Sequence, residues 1–179
     1  MESETKKILS KIHHLTIYEL DIWKDRNFEF PIPIDIRNLL DKIAFDRIKS
    51  LTECLVYWED AKNLSVGELI LARANLGSLT ESWLQFFLII HIKDYNKNPI
   101  KDSKDKVVKV KNISFNDLKE YIKNIDGLDK YYEWIGSVQS KRNAIHSFTF
   151  KKLGDNQDFI NDLVEYQKFL KELSNRLPF

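Results

Sequence analysis

Three residues in the last quarter of the chain have side chains that together can act on a phosphodiester. Arg142, Asn143 and His146 lie within five consecutive positions. An arginine binds a phosphate through its rigid fork of N–H donors, and a histidine takes up and releases a proton near neutral pH. These residue types at this spacing predict RNA cleavage without a metal ion, although the same run also fits an ordinary polar helix surface.

The three residues belong to the fifth predicted helix, which covers 128 to about 148. Apolar side chains recur along it at three- and four-residue steps, and Arg142 occupies one of those steps. An arginine at such a position is expected to face protein instead of open water. The helix must therefore place Arg142 against a neighbouring element.

Helix geometry predicts which polar side chains share a face. At about 100° per residue, His146 lies about 40° from Arg142, whereas Lys141 lies about 140° from His146. Lys141 is thus predicted to point elsewhere, and Arg142 is the cation that accompanies His146. The same arithmetic gathers four residues on one face: Gln139, Arg142, Asn143 and His146.

A purely structural role for this face stays open at this point. Arg142 can pair with an acid, for which Glu81 on the third predicted helix is the candidate, and His146 can hydrogen-bond a carbonyl group. Glu81 would then be an ion-paired helix residue. In the functional interpretation Glu81 binds Arg142 and positions it without touching the substrate.

The elements that position these residues are six predicted helices. The first ends near Trp23, and 35 to about 61 forms the second. Ser65 and Glu68 have capping-box spacing and open the third. The remaining helices cover 114 to about 124, 128 to about 148, and 157 to 175. This pattern predicts an all-α bundle of about five to six helices in one domain, 1–179. Residues 1–34 form its first helix and a proline-containing link, and 96–113 form a lysine-rich loop.

Composition supports helices and limits the classes of partner. Hydrophobic residues make up 43% of the chain, and only 5 Gly and 4 Pro are present, too few for a turn-rich β fold. The net charge of +1 means that any RNA contact must depend on a local patch. Lys104, Lys106 and Lys109 in the lysine-rich loop are candidates for contact with an RNA backbone, the alternative being a solvated loop.

Compartment and cofactor chemistry are constrained as well. Cys54 is the single cysteine, so neither an intrachain disulfide nor a cysteine zinc cluster is expected, and a buried thiol in a reducing cytoplasm is predicted. The most apolar run, 83–92, is shorter than the ~20 residues that a membrane span requires. His13 and His14 are predicted to be surface residues, and His91 a core or interface residue. The sequence predicts a cytoplasmic protein without a membrane segment, metal or cofactor.

Four segments carry a resemblance to a known family. The run Arg142-Asn143-Ala144-Ile145-His146 looks like the signature of the HEPN superfamily (higher eukaryotes and prokaryotes nucleotide-binding domain). The segments 73–81, 94–95 and 175–179 are similar to one prokaryotic branch of that superfamily. Together they cover the chain from about Ala72 to its end.

The resemblance implies an up-and-down helical bundle that forms a homodimer, in which motifs from two subunits line one cleft. Many such proteins are metal-independent ribonucleases of toxin-antitoxin or antiviral defence systems. It implies that His146 is the general base, Arg142 stabilises the phosphorane and Asn143 orients the phosphate. Gln139, on the same predicted helix face, is a further candidate for substrate binding. The products would carry a 2′,3′-cyclic phosphate and a 5′-hydroxyl.

The spacing of the motif departs from that pattern. The ribonuclease form has four to six residues between arginine and histidine, whereas three intervene here. The alternative function is therefore a non-catalytic module of the same fold that binds a partner protein such as an antitoxin, RNA or a nucleotide.

Overall fold

The computed structural model of the chain describes residues 3–24, 32–146 and 152–178. These ranges contain eight α-helices and four short 3-10 segments, without a named β-strand. The helices are α1 (Glu4–Lys24), α2 (Ile34–Leu40), α3 (Phe45–Glu53), α4 (Val66–Ile90), α5 (Ile92–Lys97), α6 (Phe115–Ile122), α7 (Tyr132–Arg142) and α8 (Asn156–Ser174).

Helix α4 is the centre of the bundle. It packs against α2, α3, α6, α7 and α8, with α7 as its most extensive partner. Its first turn is closed by the predicted capping box, in which the Ser65 hydroxyl accepts from the Glu68 amide while the Glu68 carboxylate accepts from the Ser65 amide. Helix α1 covers the outer side of α8, where the Ser174 hydroxyl donates to the buried Glu19.

Neighbouring contacts fix the direction of the helices around the site. The Tyr131 and Phe169 rings lie 5.3 Å apart where α7 begins, whereas Lys141 reaches Asp162 where it ends, so α7 runs antiparallel to α8. Arg73 in the early part of α4 also meets Asp162, and His91 after its last turn meets Arg176, so α4 and α8 run in the same direction. The predicted all-α bundle is confirmed.

The predicted second helix, 35–61, is wrong as a single element. The chain forms α2, a turn, α3 and the 3-10 segment Cys54–Trp58. Ala44 leaves helical geometry, with φ −82° and ψ 69°, and the amide of Ile43 bonds the Leu40 carbonyl at 2.9 Å. Both pieces place apolar residues on α4, so the apolar periodicity continues across the turn and does not reveal it.

The third predicted helix is also divided. His91 has φ −96° and ψ 26° and separates α4 from α5, while its ring packs 4.4 Å from the Phe87 ring. These two divisions turn six predicted helices into eight observed ones. Of the predicted proline link, Pro33 precedes α2, and Pro31 lies outside the described residues.

Candidate functional site

The segment that carries Arg142 and His146 is a helix end, not the helix interior that the sequence predicts. Helix α7 stops at Arg142, and the 3-10 segment Asn143–Ile145 follows. His146 then adopts extended geometry, with φ −83° and ψ 91°. The predicted angle of about 40° between the two side chains therefore does not apply, because it assumes a straight α-helix. The rest of the predicted helix, 147–148, lies outside the described residues.

Arg142 is held against α4 at two points. Its stem lies directly over Gly77, where an added Cβ would stand 2.5 Å from Arg142 Cβ and 2.6 Å from Cγ. Its Nη2 donates to Glu81 Oε2 at 2.8 Å. The side chain of Arg142 is 35% exposed and that of Glu81 28%. The pairing with Glu81 that the structural alternative offers is thus present, and about a third of the Arg142 side chain remains exposed.

The other predicted site residues lie around this pair with different exposure. His146 is exposed, while Asn143 and Gln139 are half-buried. The 3-10 segment that contains Asn143 packs on α4. No side-chain hydrogen bond involves Gln139, Asn143 or His146 within the described ranges. Their polar groups are therefore free to meet a ligand, although the fold brings only Arg142 and Glu81 into direct contact.

Lys141 points away from this region, as predicted, into a buried polar cluster that sequence reasoning missed. Its Nζ lies 2.7 Å from Asp162 Oδ2 on α8. Arg73 on α4 pairs with the same oxygen, and the Trp134 indole N–H donates to Asp162 Oδ1 at 3.1 Å. We call these four residues the Asp162 cluster. It ties the last turn of α7 to α4 and α8 and so fixes the position from which Arg142 extends.

Arg73 is the most deeply placed charge of the Asp162 cluster. Its side chain is 2% exposed, and its guanidinium lies 5.2 Å from the centre of the Phe159 ring. Burial lowers the pKa of Arg73, and the neighbouring Asp162 opposes that effect. The Nε and Nη2 atoms have no hydrogen-bond partner within the described residues. Because a buried charge is costly without a partner, the position of Asp162 is critical for this part of the core.

A sequence signal for Arg73 does exist. It follows the buried Leu69 by four residues and precedes the buried Leu76 by three, so it occupies the apolar stripe of α4. The same observation singled out Arg142 on α7. Applied to α4, it would have predicted a buried arginine, but not that Asp162 is its partner.

The lysine-rich loop is folded back on itself. Lys101 and Val107 form a single antiparallel bridge, and Asp102 Oδ1 accepts from the backbone amides of Lys104 and Lys106 at 2.8 and 3.0 Å. Beyond this bridge the loop forms no named strand, and the 3-10 segment Val110–Asn112 ends it. The side chains of Lys104, Lys106 and Lys109 are exposed. They are accessible to an RNA backbone, and the contact itself stays a prediction.

The other histidines and the single cysteine lie away from the Arg142–Glu81 pair in sequence and have ordinary environments. His13 and His14 are exposed, as predicted. His91 Nε2 lies 3.1 Å from the Arg176 carbonyl oxygen, and burial lowers its pKa. Cys54 is half-buried, so the prediction of a buried thiol is wrong; it sits in the 3-10 segment after α3, where the chain turns toward the surface.

The described residues contain neither a cluster of metal ligands nor a helix that could span a membrane. No group of three or more His, Cys, Asp or Glu side chains converges there in a way that could hold a metal ion. No helix in the same ranges combines the length and the apolar character that crossing a membrane requires.

Comparison of the chain with protein-family models, with curated proteins and with solved structures found no match.

Proposed function

We propose that the protein is a metal-independent endoribonuclease of a cytoplasmic defence or toxin-antitoxin system. The observation that carries the proposal is the way Arg142 is presented. Glu81 fixes its Nη2 at 2.8 Å, yet a third of the side chain is accessible, and an exposed His146 follows four residues later. A guanidinium has five N–H donors, so the bond to Glu81 leaves donors for a phosphate.

In this proposal His146 removes the proton from the ribose 2′-hydroxyl, and the 2′-oxygen attacks phosphorus. The bond from phosphorus to the 5′-oxygen breaks, the departing 5′-oxygen takes up a proton from water, and His146 releases the proton that it removed to solvent. RNA is left with a 2′,3′-cyclic phosphate and a 5′-hydroxyl. Arg142 stabilises the negative charge that develops on the phosphorane oxygens, a role in which a preoriented donor is most effective. Asn143 and Gln139 supply amide groups that orient the phosphate.

The proposed active form is a homodimer. Ile145, which lies between Asn143 and His146, is 49% exposed, and in the proposed dimer it is the apolar contact of this segment. A second copy that covers Ile145 would bring its own His146 toward the same cleft. Analytical ultracentrifugation tests this assembly: a dimer that dissociates in Ile145→Asp supports it, and a monomeric wild type contradicts it.

A non-catalytic interaction module is the second candidate function. The Arg142–Glu81 pair favours it, because a cation already balanced by a carboxylate attracts a phosphate less strongly than a free one. In that case the exposed segment after α7 binds an antitoxin, another protein partner, RNA or a nucleotide without breaking a bond.

Cleavage of mixed RNA by purified protein separates the two candidates. The ribonuclease proposal predicts that His146→Ala and Arg142→Ala each lower the cleavage rate by about a hundredfold or more. His14→Ala, an exposed histidine on α1, is the matched control and should cleave as wild type does. Absence of cleavage by wild type across varied RNA substrates would favour the interaction module. Expression in a host adds an independent measurement, since a toxin slows growth and His146→Ala should not.

A further inference from the structure

A groove whose charged lining residues are all basic is walled on one side by the turns of α4 that follow Glu81. It is formed between the α2–α3 segment and α4, and its volume is about 390 Å³. This is within the range of about 300–1,000 Å³ found for small-molecule sites. Its inner surface is apolar and includes Ile43, Leu51 and Ile89. The groove therefore has room for a ligand with one flat, apolar part.

The charged residues at the rim of the groove all have the same sign. Lys42 and Arg47 line it, both are exposed, and no carboxylate occurs among its described lining residues. The nearby Asp46 is engaged by Lys24, whose Nζ lies 2.7 Å from its Oδ1. Two cations above an apolar floor fit an amphipathic anion. A second groove, between α1 and α3, contrasts with this one because both lysine and glutamate side chains line it.

The α4 wall of the groove connects it to Arg142. Gln85 and Ser82 form the polar part of that wall. Gln85 follows Glu81 by one helical turn on the same face, which places their Cβ atoms about 5–6 Å apart. Arg142 has its stem at Gly77 and its Nη2 at Glu81, so its side chain extends along α4 toward Gln85. The α4 wall of the groove therefore begins within one helical turn of Glu81, the residue that binds the guanidinium.

We propose that this groove binds the nucleoside of RNA that adjoins the scissile phosphate. Its role as a substrate subsite rests on the proposed ribonuclease function. The base lies on the apolar floor, as an unstacked base does between apolar side chains. The Gln85 amide, with two donors and one acceptor, hydrogen-bonds the edge of the base and sets base preference. Lys42 and Arg47 contact the next phosphate along the strand.

The direct test is titration of the protein with the four ribonucleoside 3′,5′-bisphosphates, which carry a phosphate on each side of the nucleoside, followed by calorimetry. Inorganic phosphate and octanoate serve as comparison probes, one with charge alone and one with an apolar chain plus charge. At least one nucleotide should bind more tightly than either comparison probe. The double variant Lys42→Ala/Arg47→Ala should weaken that binding by about tenfold. Lys49 is an exposed lysine on α3, the helix that carries Arg47, and it does not line the groove. Lys49→Ala should therefore leave the nucleotide affinity unchanged.

Gln85→Leu supplies a second, independent measurement because it keeps the size of the side chain and removes its hydrogen bonds. It should reduce the differences in affinity among the four nucleotides. Equal affinity for all four in the wild type, or unchanged preferences in Gln85→Leu, would remove Gln85 from base recognition. Octanoate binding as tightly as the best nucleotide, or full affinity in the double variant, would overturn the proposal.

These titrations need no cleavage, so the two proposals can fail separately. The protein could bind nucleotides through Lys42 and Arg47 and yet not cut RNA. That result would support the groove as a nucleotide site and contradict the ribonuclease proposal. Cleavage that is insensitive to Lys42, Arg47 and Gln85 would retain the ribonuclease and reject the groove.

Discussion

Gly77 and Arg142 are in direct contact, and this contact sets the distance between α4 and α7 at the candidate site. A Cβ added to Gly77 would stand 2.5 Å from Arg142 Cβ, closer than side-chain carbons approach. The atoms that crowd it are Cβ and Cγ, near the α7 backbone, so they cannot swing aside as the end of a long side chain can. A glycine at position 77 is what allows Arg142 to reach Glu81.

We predict that Gly77→Ala destabilises the protein by about 1–3 kcal/mol, because α7 must move away from α4 to relieve overpacking. Denaturant unfolding measures this loss. Gly67→Ala is the control on the same helix, since nothing lies within 4 Å of an added Cβ there. Without a clash, and in the first turn of α4, alanine should be neutral or stabilise the protein by less than the ~0.5–1 kcal/mol expected in a helix interior. Equal effects at both positions would refute the close-contact argument.

The Asp162 cluster leads to a second prediction about stability. Asp162→Ala leaves the buried Arg73 and the half-buried Lys141 without their shared carboxylate, which should cost about 3–5 kcal/mol. Thermal or denaturant unfolding measures the change. Glu165→Ala removes an acid paired with the exposed Lys168 on the same helix and should cost less than about 1 kcal/mol. A loss at Asp162 as small as that at Glu165 contradicts the assigned role of the cluster.

Buried Glu19 predicts how stability depends on pH. Burial raises the pKa of this carboxyl above its usual 4.5, and the hydrogen bond from Ser174 opposes the shift. The folded protein then holds the proton more tightly than the unfolded chain, so this contribution to stability is present below 4.5 and is lost as pH rises through the raised pKa.

Glu19→Gln should consequently make the protein more stable at neutral pH and flatten its stability profile above pH 4.5. Unfolding by denaturant across a pH series measures both effects. Glu133→Gln changes an exposed acid on α7 and should leave the profile as in wild type. A Glu19→Gln profile that keeps the wild-type slope would show that Glu19 does not cause it.

The lysine-rich loop is tested by the salt dependence of RNA binding. If Lys104, Lys106 and Lys109 each contact one phosphate, neutralising all three should weaken affinity and make the slope against log salt shallower by about 2, since each single-strand contact contributes about 0.7. Neutralising three other exposed lysines, Lys7, Lys11 and Lys168, provides the matched control. Unchanged affinity together with an unchanged slope in the loop variant removes the loop from RNA binding.

Sequence patterns predicted the helices well where local chemistry determines them. The capping residues Ser65 and Ser114 both accept from the amide three positions later, as their spacing indicates. Helix α8 begins and ends within a residue of its predicted bounds. The divisions at Ala44 and His91 were not predicted, because no proline or glycine marks either position and the apolar pattern continues across both.

The candidate site was predicted in part. Its position on an apolar stripe indicated that Arg142 faces protein, and Glu81, one candidate partner, does bind it. The end of α7 at Arg142 did not follow, because the apolar periodicity continues to Ile145 while the backbone tightens into a 3-10 segment. Asp162 was missed since its partners Arg73 and Lys141 are distant in sequence.

The ends of the RNA fragments produced by the purified protein in excess chelator test the central claim most directly. The proposed mechanism predicts 2′,3′-cyclic phosphate and 5′-hydroxyl ends from the wild type and from His14→Ala, and uncut RNA with His146→Ala. Intact RNA with the wild type, cleavage that persists in His146→Ala, or fragments with 5′-phosphate ends would contradict it.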